Sequence, residues 1–136
     1  MSADLRVLVV DDHPVNRLVL RELLSHLGCV VSAVEDGAQA LSASSADHFD
    51  LVCLDRHMPG LSGDEVAERL PADQFVLAWS TDLADLPGRF NGTLSKPVTI
   101  AALQAALKRA EAWRAGAAMR RAALAHGTSF PALRRA

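Results

Sequence analysis

Polar side chains that could carry out chemistry follow directly on four short runs of apolar or strand-forming residues. Runs of this kind that stop abruptly at a polar residue are typical of strands buried on both faces. Asp55, which follows the apolar run 51–54, is a carboxylate at such a strand end. We expect Asp55 to accept a phosphoryl group. The side chains at the other three run ends belong to Asp11 and Asp12, to Ser80, and to Lys96.

The chemistry that suits this set is phosphoryl transfer assisted by a divalent cation. Crowded carboxylates repel one another by roughly 4 kcal/mol per pair at about 4 Å and an effective dielectric constant near 20. Asp11, Asp12 and Asp55 therefore require a compensating charge, and Mg²⁺ suits a site with carboxylate and phosphate oxygens. Lys96 is placed to stabilise a second phosphoryl oxygen, and the hydroxyl of Ser80 a third. This set predicts a Mg²⁺-dependent phosphoacceptor site.

Strands that alternate with helices must bring these residues together. Alternation of this kind predicts an α/β fold with a parallel sheet, because right-handed crossovers leave few other topologies. We expect a flavodoxin-like, doubly wound, five-stranded sheet of order 2-1-3-4-5, in which the strand ends named above share one edge. The strand patterns cover residues 5–10, 29–34, 49–54, 75–79 and 92–95, and the helix patterns cover 14–27, 38–44, 63–70 and 100–113.

The spacing of apolar residues in the first and last helices predicts which side chains face the sheet. Between Ser80 and Gly92, by contrast, Pro87 and Gly88 interrupt the pattern, so we expect a shortened or missing fourth helix. The predicted stripes are Val15, Val19, Leu23 and Leu27, widened by Leu20 and Leu24, in the first helix, and Ile100, Leu103, Leu107 and Ala110 in the last.

Length and composition favour one soluble, cytoplasmic domain. A chain of 136 residues fits a single domain, and no run approaches the roughly 20 apolar residues of a membrane span. Residues 1–6 lack the apolar core of a signal peptide. The two cysteines, Cys29 and Cys53, fall in predicted buried strands, which is typical of small apolar side chains in a reducing compartment.

The charge is distributed unevenly along the chain. Residues 1–113 contain 9 Lys or Arg against 16 Asp or Glu, whereas residues 114–136 contain five Arg and no acid. We therefore expect one domain over residues 1–115 and a basic tail over 116–136, either a helical extension or disordered. Five arginines without a helix-turn-helix or an aromatic platform argue against nucleic acid as a partner.

The motifs in this order resemble the response-regulator receiver domain of two-component and phosphorelay signalling. The resemblance covers about residues 5–113. It implies that Asp55 takes a phosphoryl group from a phosphohistidine of a sensor histidine kinase or a histidine phosphotransfer protein. It also implies a phosphoryl acceptor that promotes its own phosphorylation and dephosphorylation rather than a turnover enzyme. The matching motifs are Asp11-Asp12, Asp55, Met58-Pro59-Gly60 with Gly63, Ser80, and Lys96-Pro97.

The resemblance also assigns roles to single residues. Asp11 and Asp12 are similar to the family's acidic metal pair, with Asp12 as the direct ligand of Mg²⁺. The backbone carbonyl of His57 matches the third protein ligand. The peptide between Lys96 and Pro97 matches one that is commonly cis in the family. The expected partner on the output side is an unknown protein, and we expect a monomer or weak dimer, either stand-alone or part of a larger hybrid kinase.

Two departures from the family pattern predict an atypical output face. Thr93 stands where the family usually has an aromatic residue, and the fourth helix is short or missing. The alternative function is therefore a pseudo-receiver, an interaction module that phosphorylation does not control. A phosphatase would need an acid two positions after Asp55, where His57 stands. The side chains of His57 and Arg56 either act on the phosphoryl group or its donor, or are solvated surface.

Overall fold

The computed structural model describes residues 4–125 as a parallel sheet covered by helices on both faces. The strand order is β2-β1-β3-β4-β5, and every neighbouring pair is parallel. This order confirms the predicted flavodoxin-like fold. The strands are β1 (Arg6–Val10), β2 (Val30–Val34), β3 (Leu51–Asp55), β4 (Val76–Ser80) and β5 (Gly92–Ser95).

Five helices accompany the strands in the described chain, and their ends carry clear stop and start signals. Pro14 opens the first helix behind its N-cap His13, and Ser62 and Glu65 form a reciprocal capping box at the start of the third. Gly28, at φ 93°, turns the chain after the first helix. The helices are α1 (Pro14–His26), α2 (Gly37–Ala46), α3 (Gly63–Arg69), α4 (Ile100–Ala115) and α5 (Ala117–Ala125).

Two apolar layers, one on each face of the sheet, hold the fold together. Helices α1 and α4 pack on one face, where Leu20, Leu24, Leu103 and Leu107 are buried against alternate strand residues. Helices α2 and α3 cover the other face through Ala40, Val66 and Ala67. Every residue of β3 and β4 is buried, as a central strand between two layers requires. Cys29 and Cys53 are buried, as predicted, and neither forms a disulfide within the described residues.

The orientation of α1 differs from the prediction. Val15 and Val19 were expected to face the sheet, but they are 59% and 47% exposed, and Leu18 beside them is also exposed. Leu20 and Leu24 are the buried residues of this helix. A stripe with a strict four-residue spacing rotates by about 40° at each step, because a helix has 3.6 residues per turn. The two ends of such a stripe therefore cannot both face a sheet.

The same kind of correction applies to the start of α4. Ile100 was expected on the buried face but is 43% exposed, whereas Leu103, Leu107 and Ala110 are buried as predicted. Ile100 is the first residue of the helix, directly after the N-cap Thr99. The helix passes onto the sheet only from its second turn.

The connection between β4 and β5 contains no helix, in agreement with the prediction. Residues 81–91 form bends and turns, and Asp85 has a left-handed backbone with φ 52°. The segment is nevertheless fixed in place by hydrogen bonds: Asn91 binds the backbone of Val76 through both its N–H and its side chain. A doubly wound sheet is thus completed without a helix between its last two strands.

The C-terminal part of the described chain is helical. Gly116 ends α4, and in α5 the guanidinium of Arg120 lies 3.7 Å from the ring centroid of Trp113. The rest of the predicted basic tail, residues 126–136, lies outside the described residues. Within the described part of the chain, no helix has the length and apolar character needed to span a membrane.

Candidate functional site

The register of the sheet places the predicted site residues at one edge. Val10 pairs with Leu54, so Asp11 and Asp55 are the next residues on adjacent strands. Asp55 in turn pairs with Trp79, the residue before Ser80. Lys96 follows β5 directly, and its backbone N–H donates to the carbonyl of Ser80 at 3.1 Å. The carboxyl ends of parallel strands are where α/β folds bind ligands.

Three carboxylates converge at this edge. Asp11 is fully buried, Asp55 is 5% exposed, and Asp12 is exposed. Oxygen atoms from the three carboxylates lie within 4.8 Å of one another. One open and two buried oxygen donors suit a hard cation that keeps part of its water shell, which is how Mg²⁺ binds proteins.

Lys96 supplies the positive charge that faces these acids. Its Nζ lies 2.8 Å from Oδ2 of Asp11 and 3.4 Å from Oδ1 of Asp55. The ammonium also lies 4.5 Å from the ring centroid of Trp79, which is buried beneath it. Contact with an aromatic face stabilises a cation that has lost much of its water. The peptide between Lys96 and Pro97 is cis, as predicted.

One ammonium does not fully compensate the acids around it. Burial raises the pKa of Asp55 from 3.8 to about 6, and the carboxylate of Asp11 acts in the same direction. Lys96 and the backbone N–H of His57, which donates to Oδ1 of Asp55 at 3.3 Å, act against this rise in pKa. A further cation at this edge would therefore meet an excess of negative charge.

Ser80, at the end of β4, and His57, two residues after Asp55, both contact Asp82. Ser80 is buried, and its Oγ accepts a hydrogen bond from the N–H of Asp82 at 3.1 Å. The ring of His57 is 62% exposed, with Nε2 3.6 Å from a carboxylate oxygen of Asp82. The role of the His57 carbonyl as a metal ligand stays a prediction.

Gly63 brings the start of α3 into direct contact with the end of β3. A Cβ at this position would lie 2.0 Å from the carbonyl oxygen of Asp55 and 2.7 Å from the Cα of Arg56. The N–H of Gly63 also donates to the carbonyl of Arg56 at 2.9 Å. Only glycine fits at this contact, which explains the spacing between Asp55 and Gly63.

Arg56 is the site residue that sequence reasoning misjudged. Arg56 was expected either to contact the phosphodonor or to be solvated surface, yet it is only 6% exposed. Its guanidinium forms a bidentate ion pair with Asp64, with both N···O distances 3.1 Å. The remaining nitrogen donates to backbone carbonyls between β4 and β5. The sequence feature that could have revealed this pair is Asp64, eight residues after Arg56. It lies in the first turn of α3, which packs against Asp55 at Gly63.

A cavity lies at the opposite edge of the sheet. It has a volume of about 600 Å³ and lies between the amino ends of β3 and β4 and helices α4 and α5. The buried carboxylate there, Asp50, accepts from the backbone N–H of Arg6 at 2.9 Å and pairs with Arg114 at 3.4 Å. These contacts join the end of α4 to the sheet, and none of them involves a residue of the acidic edge.

Comparison with known proteins gives a consistent result. The sequence model of the response regulator receiver domain matches residues 7–108. The sensor histidine kinase RcsC of Escherichia coli K12 is 35% identical over 106 residues, which are 71% of this chain and 11% of RcsC. The curated sensor kinases that it matches are much longer, so this chain spans about a tenth of their length or less.

Solved receiver structures also match the fold. The response regulator TrrA of Thermotoga maritima, in complex with Mg²⁺ and BeF, has a TM-score of 0.74 and 31% identity, covering 78% of this chain and 98% of TrrA. The receiver domain of sensor histidine kinase PA1611 of Pseudomonas aeruginosa, with a magnesium ion in its active site cleft, has a TM-score of 0.69 and 28% identity. That match covers 79% of this chain and 97% of the PA1611 domain.

Proposed function

This chain belongs to the response regulator receiver domain family, and from that premise we propose that Asp55 is a phosphoacceptor in a phosphorelay. The observation that carries the proposal is the placement of Asp55: a buried carboxylate 3.4 Å from the ammonium of Lys96 and beside Asp11 and Asp12. The donor is a phosphohistidine of a sensor histidine kinase or of a histidine phosphotransfer protein. The relatives that support this choice of donor include sensor histidine kinases.

The residues at this edge fit Mg²⁺. Carboxylate oxygens of Asp11, Asp12 and Asp55 would hold it together with the backbone carbonyl of His57, and the donor set consists entirely of oxygen. When bound, the ion neutralises charge between Asp55 and an approaching phosphoryl group. The charge balance supports this assignment, because three carboxylates at this edge face the single ammonium of Lys96.

The transfer itself requires little from the protein beyond position and charge. An Oδ of Asp55 forms a bond to phosphorus while the bond from phosphorus to the histidine nitrogen breaks, and the electron pair stays with the imidazole. Lys96 moves from Asp11 toward a phosphoryl oxygen, and the hydroxyl of Ser80 turns from the N–H of Asp82 to donate to another. Such prearranged donors stabilise charge that develops on the phosphoryl oxygens.

An exposed apolar surface next to the acidic edge suits the docking of the phosphodonor. Val15, Leu18 and Val19 are spaced as one face of α1, and each is about half exposed. Helix α1 starts directly after the acid pair, at Pro14. Apolar side chains grouped beside a reactive centre favour a protein partner over a small molecule. We assign this surface to the helices that carry the donor histidine.

Output then passes through protein contacts on an atypical face. The segment between β4 and β5 has no helix, and Thr93 of β5 is exposed where an aromatic side chain is usual in the family. A shift from about 1:99 to 99:1 between two states requires roughly 5.5 kcal/mol of differential interaction. New charge on Asp55, paired with Lys96 and Ser80, supplies part of this energy.

The test is a labelling reaction on the purified chain. With Mg²⁺ and a small acyl phosphate, the wild type is expected to gain one phosphoryl group that hydroxylamine removes. The variant Asp55→Asn should gain none, and chelation of Mg²⁺ should abolish labelling of the wild type. An adduct that survives in Asp55→Asn would refute the assignment.

A pseudo-receiver function is the second candidate. The missing helix and Thr93 favour it, because both alter the parts that report phosphorylation in the family. Absence of both Mg²⁺ binding and labelling in the wild type would establish this alternative. Turnover of phosphate esters is not proposed, since the position that would hold the proton-transferring acid is His57.

A further inference from the structure

Arg56 connects the end of β3 to the connection between β4 and β5, which contains no helix. We call residues 81–86 the β4–β5 segment. One guanidinium nitrogen of Arg56 donates to the carbonyls of Asp82 at 3.0 Å and Ala84 at 2.8 Å. A second nitrogen reaches the carbonyl of Asp85 at 3.5 Å. A single buried side chain thus binds three carbonyls of a segment that has no regular secondary structure.

Asp64 holds the other side of the same guanidinium. Its two carboxylate oxygens bind Nε and one terminal nitrogen of Arg56 at 3.1 Å each. Asp64 lies in the first turn of α3, where a negative charge is favoured, and Gly63 fixes that turn against Asp55. The guanidinium is therefore held in one orientation by a rigid element. The planar guanidinium presents its donors in the directions of these acceptors, which a lysine ammonium would not do.

The β4–β5 segment in turn lies beside the reactive carboxylate. Asp82 has three contacts there: its carbonyl accepts from Arg56, its N–H donates to Oγ of Ser80, and its carboxylate lies 3.6 Å from the ring of His57. Ser80 and His57 both flank Asp55. The position of Asp82 beside these two residues therefore depends on the hydrogen bonds that Arg56 donates to the segment.

We propose that Arg56 is a positioning residue that fastens the β4–β5 segment beside Asp55 and thereby sets the lifetime of the phosphorylated state. This inference rests on the proposed phosphoacceptor function. The phosphoryl group is lost when a water oxygen bonds to phosphorus and the bond from phosphorus to Oδ of Asp55 breaks. The electron pair returns to the carboxylate, inorganic phosphate leaves, and the water proton passes to solvent. A fastened segment limits the approach of that water.

Whether Arg56 restrains the β4–β5 segment is tested by amide hydrogen exchange on the unphosphorylated protein. Arg56→Lys and Asp64→Asn each remove the bidentate ion pair between Arg56 and Asp64. Both are expected to raise the rate of amide hydrogen exchange in residues 81–86 at least about tenfold. Arg69→Lys is the matched control, because Arg69 is an exposed arginine on the same helix as Asp64. Exchange in β1 and β3 should stay unchanged in all three variants, which separates loosening of the segment from unfolding of the domain.

The consequence is tested by the decay of the phosphorylated protein after the acyl phosphate donor is removed. Both variants that break the pair between Arg56 and Asp64, Arg56→Lys and Asp64→Asn, should lose phosphate about threefold faster or more, while Arg69→Lys decays like the wild type. Faster exchange with an unchanged phosphate lifetime would overturn the inference, as would unchanged exchange. Failure of the wild type to form any adduct would instead refute the proposed function, and the exchange result would still decide whether Arg56 fastens the segment.

Discussion

At the scale of single residues, the central feature of the site is the carboxyl group of Asp55, whose ionisation the fold makes less favourable. Asp55 is buried next to Asp11, and the ammonium of Lys96 offsets only part of the resulting repulsion. Burial first, and the charge of Asp11 second, raise the pKa of Asp55, so its ionised form costs folding free energy at neutral pH. The free energy stored there is available for binding a cation or a phosphoryl group that matches the lysine and the acids.

Asp55→Asn is expected to stabilise the metal-free protein at neutral and alkaline pH. A carboxyl whose pKa is raised in the fold costs stability as the pH rises from 3.8 through about 6, because ionisation is harder in the folded state. The amide removes this cost, so the free energy of unfolding at pH 8 should increase by about 1 to 3 kcal/mol. At pH 4 the gain should nearly vanish.

Urea unfolding with EDTA at both pH values measures this difference. Glu68→Gln is the control, since it removes an exposed acid from α3 and should change stability little at either pH. An equal gain at pH 4 and pH 8 would show that the ionisation of Asp55 is not the cause.

At the scale of elements, sequence patterns located every strand, and the strand ends then located the site. Asp11, Asp55 and Ser80 were predicted to share an edge because each ends an apolar run, and the register confirms this placement. The rotation of α1 was not predicted, because its apolar residues occupy more of the helix than the sheet can cover. Apolar side chains left over at Val15 and Val19 are exposed, and periodicity alone cannot tell them from core residues.

Gly63→Ala tests the contact between α3 and β3. The added methyl group would meet the carbonyl oxygen of Asp55 at 2.0 Å, so α3 or the strand must move. We expect a loss of about 1 to 3 kcal/mol in the free energy of unfolding, as for overpacked core positions. Gly88→Ala is the matched control, because a Cβ there has no neighbour within 4 Å. Similar losses in both variants would argue against the contact.

Charge on the exposed face of α1 is expected to impair the donor step alone. The double variant Val15→Glu and Leu18→Glu should slow phosphoryl transfer from a phosphorylated histidine phosphotransfer domain at least about tenfold, because carboxylates cannot be buried in an apolar interface. Labelling by a small acyl phosphate should keep its wild-type rate. Met119→Glu, which places the same charge at an exposed apolar position on α5, should affect neither reaction.

At the scale of the whole molecule, the two edges of the sheet have separate tasks. The carboxyl edge gathers the acids, Ser80 and Lys96, whereas the amino edge fastens α4 to the sheet through Asp50. The sequence pointed to the first edge by its motifs. The second edge and the hold of Arg56 on the β4–β5 segment could not be predicted, since each depends on partners from distant parts of the chain that no local pattern connects.

Asp50→Asn should therefore weaken the fold without changing the phosphorylation chemistry. Loss of the charge that Arg114 and the backbone N–H of Arg6 both contact is expected to lower the free energy of unfolding by about 1 to 3 kcal/mol. The rate of labelling by acyl phosphate at 20 °C should remain within about twofold of the wild type. Thermal unfolding and labelling measured on the same preparation check both parts, and a labelling rate that falls with stability would show that the two edges are coupled.

The cation–π contact between Lys96 and Trp79 makes the fluorescence of Trp79 a reporter of the acidic edge. Of its two tryptophans, Trp79 contacts the ammonium that moves in the proposed phosphoryl transfer, whereas Trp113 lies beside the cavity at the other edge. Indole emission is sensitive to a nearby cation. In a Trp113→Phe variant, the remaining emission would therefore follow the position of a single ammonium, and cation binding and phosphorylation could be timed without an attached dye.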